Sequence, residues 1–252
     1  MATRANAGYG WDSFDSESYF QHYYGEPHVD DEVVVGLASR AIARAQPFGR
    51  DLETVDIGTG PNLFPLLCAL PRARRLTAWE FSSSNVAWLE GELAARSLRP
   101  QWAHFWNVVE RSYPPGSRLA SDPLAVLRER AEIRQGSVFD LPEATWDLAT
   151  MFFCAESITG DDREFERACT RFVRCVKPGG SLVGAFLVGS SDYEVAGRPF
   201  PILDVSPDRI REVLEPMVRD LEMETIGLVD REIRSGYSGM LFASAVRREA
   251  AA

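Results

Sequence analysis

The stretch TVDIGTGPNLFPLL, Thr54 to Leu67, is an apolar run that ends in an acid, Asp56, and then breaks into Gly58-Thr59-Gly60 before a second apolar segment. Glycine turns without a Cβ, so a pair of them between a strand and a helix lets the backbone reverse tightly and lets a ligand come close. In a doubly wound sheet, ligands lie outside the carboxyl ends of the strands, and the loop after the first strand is one of their places. A nucleotide-like ligand is therefore expected at this loop.

The surrounding residues narrow the choice. A dinucleotide fingerprint needs a third glycine, where helix and strand pack closely. Here the pattern is Gly58-Thr59-Gly60-Pro61-Asn62-Leu63, so that glycine is missing. About 20 residues further on, Glu80 closes LTAWE, where an acid accepts hydrogen bonds from a ribose diol. Such an acid indicates an adenosine-type ribose without a 2′-phosphate, and by itself does not separate NAD from S-adenosylmethionine.

Outward from the loop, short apolar runs alternate with helical patterns, the signature of βα units on a parallel sheet. The runs are LETVDI, RLTAWEF, AEIRQGSVF, WDLATMFFC and SLVGAFLV, then LEMETIGLV and GMLFASAVR joined by DREIRSGYS. Helices are expected over 29–45, 62–70, 84–98 and 163–176, the last followed by the turn Lys177-Pro178-Gly179-Gly180. Another starts at Ser206, with Pro207 in the first helical position, where its missing N–H costs nothing. The expected fold is α/β and Rossmann-like: a seven-stranded, mostly parallel sheet with an antiparallel last strand and helices on both faces. Residues 1–12 read as a disordered start and 13–252 as a single domain. Within it, 13–50 form an N-terminal helical lid and a helix, and 101–130 form an insertion with its own helix start at Ser121-Asp122-Pro123.

Composition excludes several classes. The chain has 252 residues, 45% of them hydrophobic, enough for a full core. Its 27 Lys and Arg against 37 Asp and Glu give a net charge of -10, which repels phosphate backbones, so nucleic acid is not expected as a partner. Cys68, Cys154, Cys169 and Cys175 match no metal or redox spacing and read as reduced core residues, and no metal is expected. The N-terminus lacks an apolar leader segment, and no window approaches the roughly 18 apolar residues of a membrane span. These features read as a cytoplasmic monomer acting on a small molecule, with no membrane partner.

Asp56, the glycine pair without its third member, GSVFDLP after the third strand and KPGG before the fifth together resemble class I S-adenosylmethionine-dependent methyltransferases. YFQHYYGEP, VDIGTGPNLFPLL with WEFSSSNVAWLE, VKPGGSLVGAFLVGSSDYEVAG and the tail YSGMLFASAVR are similar to the family that includes nicotinamide, phenylethanolamine and thioether or indolethylamine methyltransferases. The resemblance implies S-adenosylmethionine as cofactor and S-adenosylhomocysteine as product. It implies that Tyr19 and Tyr24 reach the methionyl end, that Asp56, Gly58, Thr59, Gly60 and Asn62 line it, and that Glu80 holds the ribose. Phe81, Asn85, Ser137, Val138 and Phe152 complete the cofactor set. Asp140 competes with Ser137 beside the adenine.

The sulfonium methyl is already activated, so the protein must orient a nucleophile, and an amine acceptor must arrive neutral or give up a proton. Tyr23, Tyr193 and Glu156 are the candidates for that role, and Tyr23, Phe153, Phe186 and Tyr193 for contact with the acceptor. Phe186 stands where the resemblance places an amine-handling acid, which implies a more apolar acceptor with cation–π support. His22, His28 and His104 read as surface or packing residues. The leading expectation is transfer to a nitrogen of an amine or aromatic heterocycle. The alternatives are O-, S- or C-methyl transfer to a secondary metabolite, a cofactor-binding module without catalysis, and an NAD-dependent oxidoreductase, which the missing glycine disfavours.

Overall fold

The computed structural model describes residues 6–47, 51–190, 194–227 and 236–249. Two 3-10 turns, Asn6–Gly8 and Trp11–Ser13, lead into α1 (Ser16–Tyr24) and α2 (Val29–Ala43). Then come β1 (Leu52–Ile57), α3 (Phe64–Ala69), β2 (Ala73–Glu80), α4 (Ser83–Ala94), α5 (Pro100–Ser112), α6 (Pro123–Arg130), β3 (Ala131–Gln135) and β4 (Trp146–Phe152). The chain continues through α7 (Asp162–Cys175), β5 (Val176–Val188), a ribbon of β6 (Glu194–Val195) and β7 (Arg198–Pro199), α8 (Pro207–Leu214), β8 (Val218–Gly227) and β9 (Gly239–Arg247).

Seven of these strands form one sheet in the order β3-β2-β1-β4-β5-β9-β8. Strands β1 to β5 pair in parallel, and β9 runs antiparallel to both neighbours, β5 and β8, as the late pair of apolar runs implies. The chain leaves β1 for β2 on one side and returns to β4 on the other. That reversal puts a crevice at the carboxyl ends of β1, β2 and β4, the position at which such sheets hold ligands.

One face of the sheet packs on α1 to α6 through Phe20, Val34, Phe64, Leu66 and Trp102. The other packs on α7 and α8 through Phe165, Phe172, Ile210 and Val213. Helix starts follow local chemistry: Asp15, Asp122, Asp161 and Ser206 each accept a hydrogen bond from a backbone N–H in the first turn, which satisfies an otherwise orphaned donor. All four cysteines are buried and free.

The structure differs from the sequence reading in three places. Residues 6–12 are not frayed: Trp11 is buried, and Asn6 donates from its backbone to Glu164 at 2.9 Å and from its amide to the Ile158 carbonyl at 2.8 Å. The KPGG turn lies inside β5 as a bulge, because Trp146 faces Val176 while Leu148 faces Ser181, and Gly179 absorbs the detour at φ +79°. The 101–130 segment supplies a layer of the core, with α5 packed on α2 and α3 and its Trp102, Phe105 and Trp106 buried.

Candidate active site

The loop after β1 is set by its glycines. Gly58 and Gly60 have φ of +64° and +60°, and a Cβ on Gly58 would stand 2.3 Å from Cys154 Sγ. Both a positive φ and a close approach thus require glycine at position 58. The Gly58 N–H donates to the Trp79 carbonyl at 2.8 Å, and the Gly60 N–H donates to Glu80 Oε2 at 2.8 Å, so the loop is tied to the end of β2. Glu80 Oε1 also accepts from the Ser82 N–H at 2.8 Å and from the Asn85 amide at 3.3 Å. Burial pushes the Glu80 carboxyl up, and these donors pull it back.

Asp56 sits beneath this loop rather than on its ligand side. It is buried and accepts the Thr150 hydroxyl at 2.6 Å, while its backbone carbonyl takes the Thr59 hydroxyl at 3.3 Å. Burial pushes its carboxyl up to about 7, against the pull of Thr150 and Thr59, with a smaller upward push from the Glu80 charge.

A cleft of about 800 Å³, open mouth included, runs from this loop along the ends of β2 and β4. Its walls bring together Tyr19, Tyr24, Gly58, Thr59, Gly60, Asn62, Glu80, Phe81, Asn85, Ser137, Val138, Phe152 and Phe153, most of the residues expected from sequence. Asn62 bridges the loop to α1, since its amide donates to the Tyr24 hydroxyl at 3.0 Å. At the far end Phe81 is 43% exposed, an aromatic face left open at the cleft. Beside it the Trp79 indole donates to the Ser137 carbonyl at 3.0 Å, and a Cβ on Gly136 would meet the Trp79 ring at 2.5 Å. Asp140 is exposed and does not line the cleft, which favours Ser137 of the two candidates there.

Phe186, Glu156 and Tyr23 stand off the cleft wall. Phe186 is fully buried on the opposite face of the sheet, its ring 6.2 Å from Phe165 of α7, because successive residues of a strand point to opposite sides. It is a core residue and not an acceptor contact; Leu187, its neighbour, shares the cleft-side cluster. Glu156 is fully buried off the cleft wall, where one carboxylate oxygen takes the Leu187 N–H at 2.9 Å and its carbonyl takes the Leu203 N–H at 2.8 Å. Tyr23 lies behind Tyr19, ring centroids 4.5 Å apart, and does not line the cleft. Tyr193 lies outside the described residues.

The sequence reading missed Trp11, Phe14, Trp79, Cys154, Ser157 and Ile158, all on the wall. The segment WDSF carried a signal in its paired aromatics: Trp11 and Phe14 both pack on Phe200, at 5.2 and 5.0 Å, and fix the start of the chain across the mouth. That strap is pinned where Ser82 Oγ donates to the Trp11 carbonyl at 2.7 Å and the Ser83 N–H donates to Asp12 at 3.0 Å. Phe153 is held at φ +54°, a left-handed conformation that a bulky residue adopts only under constraint, and such outliers cluster at functional sites.

No helix among the described residues is long and apolar enough to cross a membrane. The solved structures of a DhpI complex with S-adenosylhomocysteine (TM-score 0.56, 17% identity, 92% of this chain and 91% of that one) and of the Burkholderia thailandensis 1,6-didemethyltoxoflavin-N1-methyltransferase (TM-score 0.51, 16% identity, 93% and 87%) share the fold. Phenylethanolamine N-methyltransferase of Macaca mulatta is 25% identical over 231 residues, 84% of this chain and 79% of the relative, and that of Bos taurus is 26% identical over 227 residues, 82% and 76%. Nothing among these relatives supports the oxidoreductase alternative. The sequence model of the NNMT/PNMT/TEMT family matches residues 5–248, nearly the whole chain, and the protein belongs to that family of S-adenosylmethionine-dependent methyltransferases.

Proposed function

We propose that the cleft binds S-adenosylmethionine with its methionyl end on Gly58–Asn62 beneath Tyr19 and Tyr24, its ribose on Glu80 and its adenine beside Phe81, Ser137 and Val138. We further propose that the methyl passes to a nitrogen of a small acceptor seated against Phe14, Phe153 and Ile158. The bound cofactor supplies an activated sulfonium methyl. The chain's residues orient the acceptor and exclude water, which lowers the barrier by holding nucleophile and methyl in line.

One observation carries the acceptor reading. Glu80 is the only charged side chain on the described cleft wall, and it lies at the ribose position; the rest of the wall is aromatic, aliphatic or neutral and polar, with Asn6 and Ser157 as hydrogen-bonding groups. A neutral aromatic wall suits a nucleophile that arrives with its lone pair free, such as a ring nitrogen or an unprotonated amine, and stabilises the positive charge that grows on it. Phe186 is left out of the acceptor wall, because it packs in the cluster on the opposite face of the sheet. Glu156, fixed on the β5 backbone, is proposed as a group that positions Leu187 and the end of β5 rather than as a base.

The test is transfer of a labelled methyl group to a panel of heteroaromatic nitrogens, amines, phenols and thioethers at pH 8. Labelled product is expected with nitrogen acceptors. Label appearing only on phenols or thioethers contradicts the reading.

A further inference from the structure

Helix α1 carries two residues of the cleft wall, Tyr19 and Tyr24, yet it is joined to the body of the protein through side chains. One such attachment is Arg99, which stands just before α5. Its guanidinium grips Glu17 of α1 with two hydrogen bonds, 2.8 and 3.0 Å, and its Nε donates to Glu92 of α4 at 2.6 Å. Glu17 also accepts the Trp88 indole N–H at 3.0 Å and the Gln21 amide at 2.8 Å. The other oxygen of Glu92 takes the Trp102 indole N–H at 2.8 Å. The guanidinium stacks 4.6 Å over Phe20 of α1 and 5.4 Å from Trp88 of α4. A planar fork with five donors can make such a set at once, and a lysine cannot.

None of this touches the cleft, but it connects to it. Ser16, the residue before Glu17, donates to Asn85 Oδ1 at 2.7 Å, and the Asn85 amide donates to Glu80. On the same helix, Tyr24 takes the amide of Asn62 from the glycine loop. The far end of α1 is also tied to α5, where the Gln101 amide donates to the Gly25 carbonyl at 3.1 Å. Arg99 holds the Glu17 carboxyl down at about 2, so Glu17 is ionised and the pair is charged throughout the neutral range.

We propose that Arg99 is a positioning residue for methyl transfer: through Glu17 it latches α1 so that Tyr19, Tyr24 and Asn85 keep the cofactor cleft formed. This rests on the reading of the cleft as the S-adenosylmethionine site. The latch acts on cofactor affinity rather than on the chemistry of acceptors, because the residues it fixes face the glycine loop and Glu80.

The test compares wild type with Glu17→Gln and Arg99→Lys by calorimetric titration with S-adenosylhomocysteine, steady-state kinetics and hydrogen exchange. Each variant is expected to raise the Kd for S-adenosylhomocysteine and the KM for S-adenosylmethionine by about three- to tenfold, with kcat at saturation little changed. Exchange should speed up in residues 16–24 and stay as in wild type in β1 and β4. The double variant should be no worse than the poorer single one, since both remove the same interaction. Variants that bind S-adenosylhomocysteine as wild type does, whether or not they melt at a lower temperature, overturn the latch alone. Wild type that fails to bind it overturns the cofactor reading and the latch with it.

Discussion

On the Glu80 side of the cleft the shape is set by backbone: two glycines at positive φ, their N–H groups aimed at a strand end and a carboxylate, in a loop tied to the end of β2. On the Phe153 side it is mostly side chain: the strap rings Trp11 and Phe14, packed on one another and on Phe200. Backbone geometry tolerates almost no substitution, whereas a packed set of rings can be resized. The first side suits a constant ligand, the cofactor, and the second suits the part of the reaction that differs between relatives, the acceptor.

The largest effect is expected where backbone and fold meet. Gly58→Ala would force an alanine to φ +64° with its Cβ 2.3 Å from Cys154 Sγ. It should lose about 2 kcal/mol or more of stability and most cofactor affinity, read by thermal melting and titration with S-adenosylhomocysteine. Binding within twofold of wild type would break the comparison at its firmest point.

Asp56 tests the same side through pH. In the folded protein without ligand its carboxyl is pushed from the ordinary 3.8 up to about 7. The native state therefore holds this proton more tightly than the unfolded chain. The stability this contributes is fully present below about 3.8 and is lost as pH rises to about 7, a loss on the order of a few kcal/mol. Asp56→Asn should flatten the fall in melting temperature between pH 4 and 7. An unchanged pH profile would show that Asp56 is ionised throughout.

Phe153→Gly is aimed at the other side. Removing the ring deletes part of the proposed acceptor wall, and glycine relieves a positive φ worth roughly 1 kcal/mol. The KM for the acceptor should rise by about tenfold while the Kd for S-adenosylhomocysteine stays within about twofold. Equal losses of both would erase the distinction between the two sides.

The smallest effect on function is expected from Phe186→Leu. It trims a ring packed on Phe165 and should cost about 1 kcal/mol in stability without altering the ranking of acceptors. A changed ranking would return Phe186 to the acceptor pocket.

These residues also show where sequence was legible. Gly58, Gly60 and Glu80 could be placed at the cleft because that depends on residue type at a fixed place along the chain: glycines turn the loop after β1 at positive φ, and an acid closes β2 beside it. The seven-stranded, mostly parallel sheet and the antiparallel β9 followed from the spacing of apolar runs. Phe186 was misread because adjacent residues of a buried strand look alike while facing opposite sides, so a shift of one position exchanges core for pocket. Glu156 read as a candidate for the acceptor's proton because nothing local shows that the β5 backbone will cover it. Trp11 and Phe14 went unseen because their partner, Phe200, is remote in the chain, and the Arg99–Glu17 latch joins residues that only the tertiary fold brings together.

The central claim, that the cleft is built on Glu80 to hold the cofactor, is tested most directly by calorimetric titration of S-adenosylhomocysteine into wild type and Glu80→Gln. One equivalent per chain is expected for wild type, with affinity about tenfold or more weaker for Glu80→Gln, since one amide oxygen cannot replace both carboxylate oxygens. Equal affinity in a folded Glu80→Gln protein, or no binding to wild type, would contradict it.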